Sequence, residues 1–321
     1  MKTKSLFFSL VLSIVSLCLI VALVVIFNVK QPFVPSESTL NVEDASDWDS
    51  LETPATTEGG TVEQSEVETA EGMYYRTLTA VPAEGYTFAY WQNASTKLCG
   101  DIQLTLGASS MTILTNVVNA CTPVFVANSN VFVISDLATF KSTLVSDINA
   151  DTTSGKIYKL SADIAFFSAG ANAITSSLGV FRGVLDGNNH SISGVSLDGV
   201  GFFDSIDGGV VKNLILSDGT ITGDGSTYVG GFCGSINNGL VSRCLSYLNV
   251  RNSAQDGYAG GIVGVCSSTT QKSMLFSCGF YGTVSASNPQ QMIAFNTKIQ
   301  NSTSESCSVF RPKNNGAINA L

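Results

Sequence analysis

The chain has 321 residues, with 25 Asp and Glu against 16 Lys and Arg and a formal net charge of −9. That balance argues against nucleic-acid binding, because phosphate contacts need clustered Lys and Arg. His190 is the single histidine, so a two-histidine zinc site is excluded within one chain. Charged residues make up only 13%, and Ser, Thr, Asn and Gly fill the polar positions, a composition suited to an extracellular β-protein.

Lys2 and Lys4 precede residues 5–27, a run without a charge. As a helix it would span about 35 Å, enough for a bilayer core of about 30 Å. The run is longer than a signal-peptide core and no small-residue cleavage site follows it. It is therefore expected to be an uncleaved signal-anchor over residues 1–30, the protein's contact with the membrane. The lysines keep the N-terminus in the cytoplasm and place the rest outside. Secretion after cleavage is the alternative. Residues 31–75 hold 11 Asp and Glu and no Lys or Arg, and the prolines 32, 35 and 54 interrupt them. A disordered acidic linker is expected over 31–60.

Residues 61–127 read as a small β-domain. Tyr75-Arg76-Thr77-Leu78-Thr79-Ala80-Val81 alternates, Pro82-Ala83-Glu84-Gly85 is a turn, Tyr86 to Trp91 is an aromatic strand, and Val124-Phe125-Val126 closes the unit. The run Leu78-Thr79-Ala80-Val81-Pro82-Ala83-Glu84-Gly85-Tyr86-Thr87-Phe88-Ala89-Tyr90-Trp91 resembles the divergent internalin B-type repeat of surface proteins. The resemblance implies a spacer or adhesive module. Tyr90 and Trp91 could form a glycan platform, although core packing accounts for them better. Cys99 and Cys121 lie in this domain, and a disulfide between them is expected. Next, Ser135 is placed to cap a helix over 136–148 with Leu137, Phe140, Leu144 and Ile148 on one face, suited to plugging the open end of a β-structure.

Beyond it the chain repeats. Val200-Gly201-Phe202-Phe203-Asp204-Ser205-Ile206 returns 30 positions later as Gly230-Gly231-Phe232-Cys233-Gly234-Ser235-Ile236, and again as Gly260-Gly261-Ile262-Val263-Gly264-Val265-Cys266. Within each copy the apolar residues alternate, which means strand. Copies of this length are too short for a propeller blade and fit one coil each of a parallel β-helix. The pairs Gly230/Gly231 and Gly260/Gly261 are expected at corners where a Cβ would clash or φ must be positive. Leu214, Cys244 and Cys278 share a repeat position, and a position taking Leu or Cys faces inward. A buried, mostly reduced column is therefore expected, extended by Cys307 if Ser306-Cys307-Ser308-Val309-Phe310 echoes Ser277-Cys278-Gly279-Phe280-Tyr281.

Tyr228-Val229-Gly230-Gly231-Phe232-Cys233-Gly234 and Tyr258-Ala259-Gly260-Gly261-Ile262-Val263-Gly264 resemble the GLUG motif of bacterial surface proteins. Phe181-Arg182-Gly183-Val184-Leu185-Asp186-Gly187-Asn188-Asn189-His190-Ser191-Ile192-Ser193-Gly194 is similar to the coil that precedes such repeats. The resemblance covers about residues 156–285. It implies fold and a bacterial cell-surface address but little about activity.

The expected architecture is all-β: a short right-handed parallel β-helix over 128–321, at about 30 residues per coil, preceded by the small β-domain and the membrane helix. The expected role is non-catalytic display or adhesion to a host or matrix protein or a glycan, with no cofactor, metal or nucleic acid. His190 sits inside the recurring coil and reads as a turn-stabilising hydrogen-bonder. A carbohydrate-active β-helix enzyme is the alternative, and would draw on Asp186, Asp204, Asp207 and Asp218. Asp residues at turns are, however, expected on backbone grounds alone.

Overall fold

The computed structural model describes residues 58–290, apart from 66–67, 71–72, 93–96, 99–109, 115–121, 167–169, 171–172, 224, 268–272, and then the strands at 293–296, 307–310, 313–314 and 316–320. These fall in one compact unit, Trp48–Leu321. The expected membrane helix, the acidic linker up to residue 57, and Cys99 and Cys121 lie outside the described residues. Among the described residues no helix is long and apolar enough to cross a membrane.

The small β-domain is built on the long strand Met73–Pro82, which pairs antiparallel with Gly60–Gln64, Glu68–Ala70 and Ser110–Leu114. The turn after Pro82 needs Gly85 at φ +83° and returns the chain as Tyr86–Gln92, which pairs with Lys97–Leu98 and Thr122–Ala127. Alternation sends Leu78, Ala80 and Trp91 into one core with Val62, Phe88 and Phe125 packed against it.

A three-residue 3-10 turn, Asn128–Asn130, leads directly into Val131–Ile134. This strand opens a parallel β-helix of about 5 turns. One seven-stranded face stacks Val131–Ile134, Ile157–Leu160, Val184–Asp186, Val210–Lys212, Leu240–Ser242, Ser273–Phe276 and Cys307–Phe310 in chain order. Val184, Val210, Leu240, Met274 and Ser308 are in register, so successive coils are 26, 30, 34 and 34 residues long.

The step from 26 to 30 has a structural cause, whereas the step from 30 to 34 falls between Ser267 and Ser273. The early coil crosses one face as the single strand Val195–Asp207, whose two ends pair with two separate strands of the next coil, Gly219–Gly223 and Cys233–Asn237. Between these the later coils insert a short strand, giving a three-stranded facet of Tyr228–Gly230, Tyr258–Gly260 and Asn288–Gln290. The glycines serve this insertion. A Cβ on Gly230 would lie 2.1 Å from the Cys233 carbonyl oxygen, and one on Gly231 would lie 2.3 Å from that of Gly261. Close backbone approach excludes a side chain there, and Gly230, Gly231, Gly260 and Gly261 do not have positive φ. The left-handed positions instead stack at another corner, as Asn213, Arg243 and Ser277, with φ 52°, 53° and 52°.

The core is one continuous apolar column running the length of the solenoid. An aromatic chain runs through its lower half. Phe132 stacks on Tyr158, Tyr158 meets Phe181, Phe181 stacks on Phe203 at 4.8 Å, and Phe203 meets Phe202 edge to face at 4.9 Å. Phe202 and Phe166 then carry it to Phe140 of the helix at residues 137–149. That helix opens as Leu137–Phe140, widens into a π turn at Lys141–Val145, and closes as Ser146–Asn149. Phe140, Leu144 and Ile148 are buried and Leu137 packs against the same core.

The N-cap is Asp136 and not Ser135. Its side chain accepts from the Thr139 backbone N–H and the Thr139 hydroxyl oxygen accepts from the Asp136 N–H, so the cap sits one residue later than expected and is reciprocal. The Ser135 hydroxyl instead donates to the Asp136 carboxylate. Farther along the helix, Asp147 accepts from the Tyr158 hydroxyl at 2.6 Å and pairs with Lys156 at 2.9 Å. Burial acts to raise the Asp147 carboxyl, but the bonds from Tyr158, Lys156 and Thr152 outweigh it and hold the group below its ordinary value. A carboxyl lowered on folding stabilises at neutral pH, and that contribution is lost as pH falls through its folded value. Tyr158→Phe should therefore cost about 1.5 kcal/mol at neutral pH. The difference from wild type should shrink below about pH 4, as denaturant unfolding at pH 7 and pH 3 would measure.

Candidate functional site

Leu214, Cys244 and Cys278 are all buried in the core. The Cys244 thiol donates to the Ser242 and Val211 carbonyls at 3.3 and 3.6 Å, and the Cys278 thiol to those of Val241 and Phe276 at 3.3 and 3.6 Å. Each sulfur thus binds a carbonyl of its own coil and one of the coil beneath. Cys307 does not extend this column. It pairs in register with Ser273, at the start of its strand, because the coil is 34 residues long, whereas the echo with Cys278 assumes 29. Burial pushes the Cys233 thiol up, against a weaker opposing hydrogen bond with Ile206. Cys233, Cys244 and Cys278 should resist a membrane-impermeant thiol reagent in the folded protein and react only after denaturation, as intact-mass measurement before and after unfolding would check.

The acidic residues occupy turns. Asp186 accepts from the Asn188 N–H at 2.9 Å and from Asn213 Nδ2 at 3.0 Å. Asp207 accepts from Asn237 Nδ2 at 3.0 Å and lies 3.4 Å from Arg182 Nε, and Arg182 also pairs with Asp151. Asp218 accepts from the Gly194 N–H and the Ser217 hydroxyl. Asp204 is exposed on its strand, and partial burial raises its carboxyl above the ordinary value. His190 closes its turn through its N–H to the Gly187 carbonyl, with its ring 3.4 Å from Asp163. Among the described residues no group of three His, Cys, Asp or Glu could hold a metal ion.

Two tyrosine pairs, half-buried except for Tyr247, were not read from the sequence. Tyr247 and Tyr281 stack at 5.0 Å with planes 16° apart, and Tyr247 is 42% exposed. Tyr228 and Tyr258 form a second rung at 5.5 Å on the inserted facet. Trp91, by contrast, is fully buried and its indole nitrogen has no hydrogen-bond partner, so it is not available as a glycan platform.

The largest unanticipated feature is a seam between the two parts. The outward residues Ile157, Val184, Val210, Leu240 and Met274 form an apolar ladder, and Ala89 and Val126 of the small domain are buried against it, with Tyr90 and Val124 alongside. Phe88 pairs with Phe125 and Tyr90 with Val124, leaving Ala89 as an extra, bulged residue. Its carbonyl accepts from Lys212 Nζ at 2.6 Å. Lys212 lies 3.7 Å from Asp186, over the Phe88 ring at 5.8 Å, with a side chain only 8% exposed. Burial of a lysine is tolerated because the charge meets a carboxylate, a carbonyl and a ring face together.

No curated protein matches the chain. A solved structure titled IgA1 Protease aligns with 81% of this chain and 24% of that one, at 11% identity and a TM-score of 0.30, too low to carry an argument about either protein. Residues 51–128 match the family model of the divergent InlB B-repeat domain, so the small β-domain seated on the ladder is the part of the chain similar to that repeat.

Proposed function

We propose that the chain is a non-catalytic surface module that displays a GLUG-type β-helix outside the cell and binds an extracellular protein or glycan, held to the membrane by residues 5–27. The observation that carries this reading is the seam. A B-repeat domain is fixed on one face of the solenoid by an apolar ladder and a buried lysine, which makes a stiff unit and leaves the other faces outward. The candidate carboxylates at 186, 207 and 218 serve turns and Asn side chains, a use that supports a structural role for them. The stacked pair Tyr247 and Tyr281 offers ring edges and hydroxyls on an outer corner, a combination suited to partners with mixed polar and apolar surface.

Protease treatment of intact cells tests the display. The segment after residue 30 should be lost and a small membrane-bound stub kept. Protection of the whole chain would refute the surface reading, and mature protein in the medium would refute the anchor.

A further inference from the structure

We propose that Cys266 and Cys307 form a disulfide that ties the last coil of the β-helix to the coil beneath it. Cys266 is disulfide-bonded, and the repeat geometry points to its partner. Cys266 belongs to the inward column Phe181, Ile206, Ile236, Cys266. Beside it runs a corner column, Gly209, Gly239, Ser273 and Cys307, each residue immediately before or at the start of its strand on the seven-stranded face. Each corner residue sits between two residues of the inward column, that of its own coil and that of the coil beneath. A Cβ on Gly209 would lie 3.2 Å from Ile206 Cγ2 and 3.1 Å from the Phe181 ring, and a Cβ on Gly239 would lie 2.9 Å from Ile236 Cγ1 and 3.0 Å from Ile206 Cγ2. Carried two coils further, the same placement sets Ser273 over Ile236 and Cys307 over Cys266, with Asn296 the inward-column position of the last coil.

The side chains along the two columns are complementary. The corner residue grows from Gly to Ser to Cys as the inward residue beneath it shrinks from Phe181 through Ile206 and Ile236 to Cys266. A large residue below leaves no room for a Cβ above it, and the two cysteines are the pair at which both positions carry sulfur.

Formation removes one proton and one electron from each thiol. A disulfide-carrying oxidant of an oxidising compartment accepts both electrons and both protons, and its own S–S bond becomes two thiols. The bond fixes the terminal strands Ile293–Asn296, Cys307–Phe310 and Ala317–Ala320, which pair only on one side with the coil beneath among the described strands. The solenoid thus carries a redox-sensitive latch at the end opposite its capping helix. This inference does not depend on the ligand-binding role.

The test uses the full chain purified under oxidising conditions, with unreacted thiols blocked before proteolysis and mass spectrometry. A peptide pair joined through Cys266 and Cys307 is the expected product. Reduction should then speed amide exchange in Ile293–Asn296 and Ala317–Ala320 about tenfold or more while leaving Val210–Lys212 unchanged, and Cys307→Ser should reproduce that pattern. Cys307 blocked before reduction, or Cys266 joined to Cys99 or Cys121, would overturn the pairing even if the variant fails to fold. Unchanged exchange on reduction would overturn the latch.

Discussion

Phe203→Ala should remove about 3–5 kcal/mol of folding stability, a large share of the roughly 5–15 kcal/mol that holds a domain together. Phe203 is fully buried, stacks on Phe181 below it and meets Phe202 edge to face. It also pairs in register with Leu178 and Cys233 of the neighbouring coils. The cavity would therefore open where the early and later coils join, between backbone ladders that cannot collapse to fill it. Phe203→Leu keeps much of the volume and should lose less than half as much. Denaturant unfolding followed by circular dichroism would measure both, and an alanine variant within about 1 kcal/mol of wild type would contradict the continuous core.

Lys212→Ala should cost about 3 kcal/mol and, more diagnostically, separate two unfolding events. The substitution leaves the Ala89 carbonyl without its donor and Asp186 without its cation, and it removes the stem that packs over Phe88. Trp91 lies in the core of the repeat domain, so with the second tryptophan removed by Trp48→Phe in both proteins, tryptophan fluorescence follows that domain while far-ultraviolet dichroism follows the solenoid. The two signals should coincide in wild type and part in the variant, with fluorescence changing first. Coincident transitions in both proteins, at equal midpoints, would show that the seam contributes nothing.

The solenoid was legible because its constraints recur in sequence. Phe202 and Phe232, or Leu214, Cys244 and Cys278, come back at a near-constant interval, and stacking demands that they face the same way. The corner glycines were legible, and of the two causes expected for them the Cβ clash holds at Gly230 and Gly231; the inserted strand was not legible, and the left-handed turns fall on Asn213, Arg243 and Ser277, whose residue types differ too much to signal it. The seam had a signal that alternation obscured. Val210-Val211, Leu240-Val241 and Met274-Leu275 place apolar residues on both faces of one strand, the mark of a sheet covered on both sides. The partner surface gave no such sign, since the bulge at Ala89 depends on pairing between Tyr86–Gln92 and Thr122–Ala127 and on no local motif. Cys307 was misplaced for a related reason. Added residues between strands change the coil length without changing its pattern, and a short echo then aligns to the wrong corner.

The most direct test of the account is an array of extracellular-matrix proteins and polysaccharides probed with the full chain, with every bound glycan also analysed for shortened products. The account predicts saturable binding to at least one class of ligand, weakened when Tyr247 and Tyr281 are both replaced by Ala, and no new chain ends on any glycan. Time-dependent release of shortened glycan, abolished by Asp204→Asn together with Asp207→Asn in a protein that still folds, would contradict it and make the β-helix an enzyme.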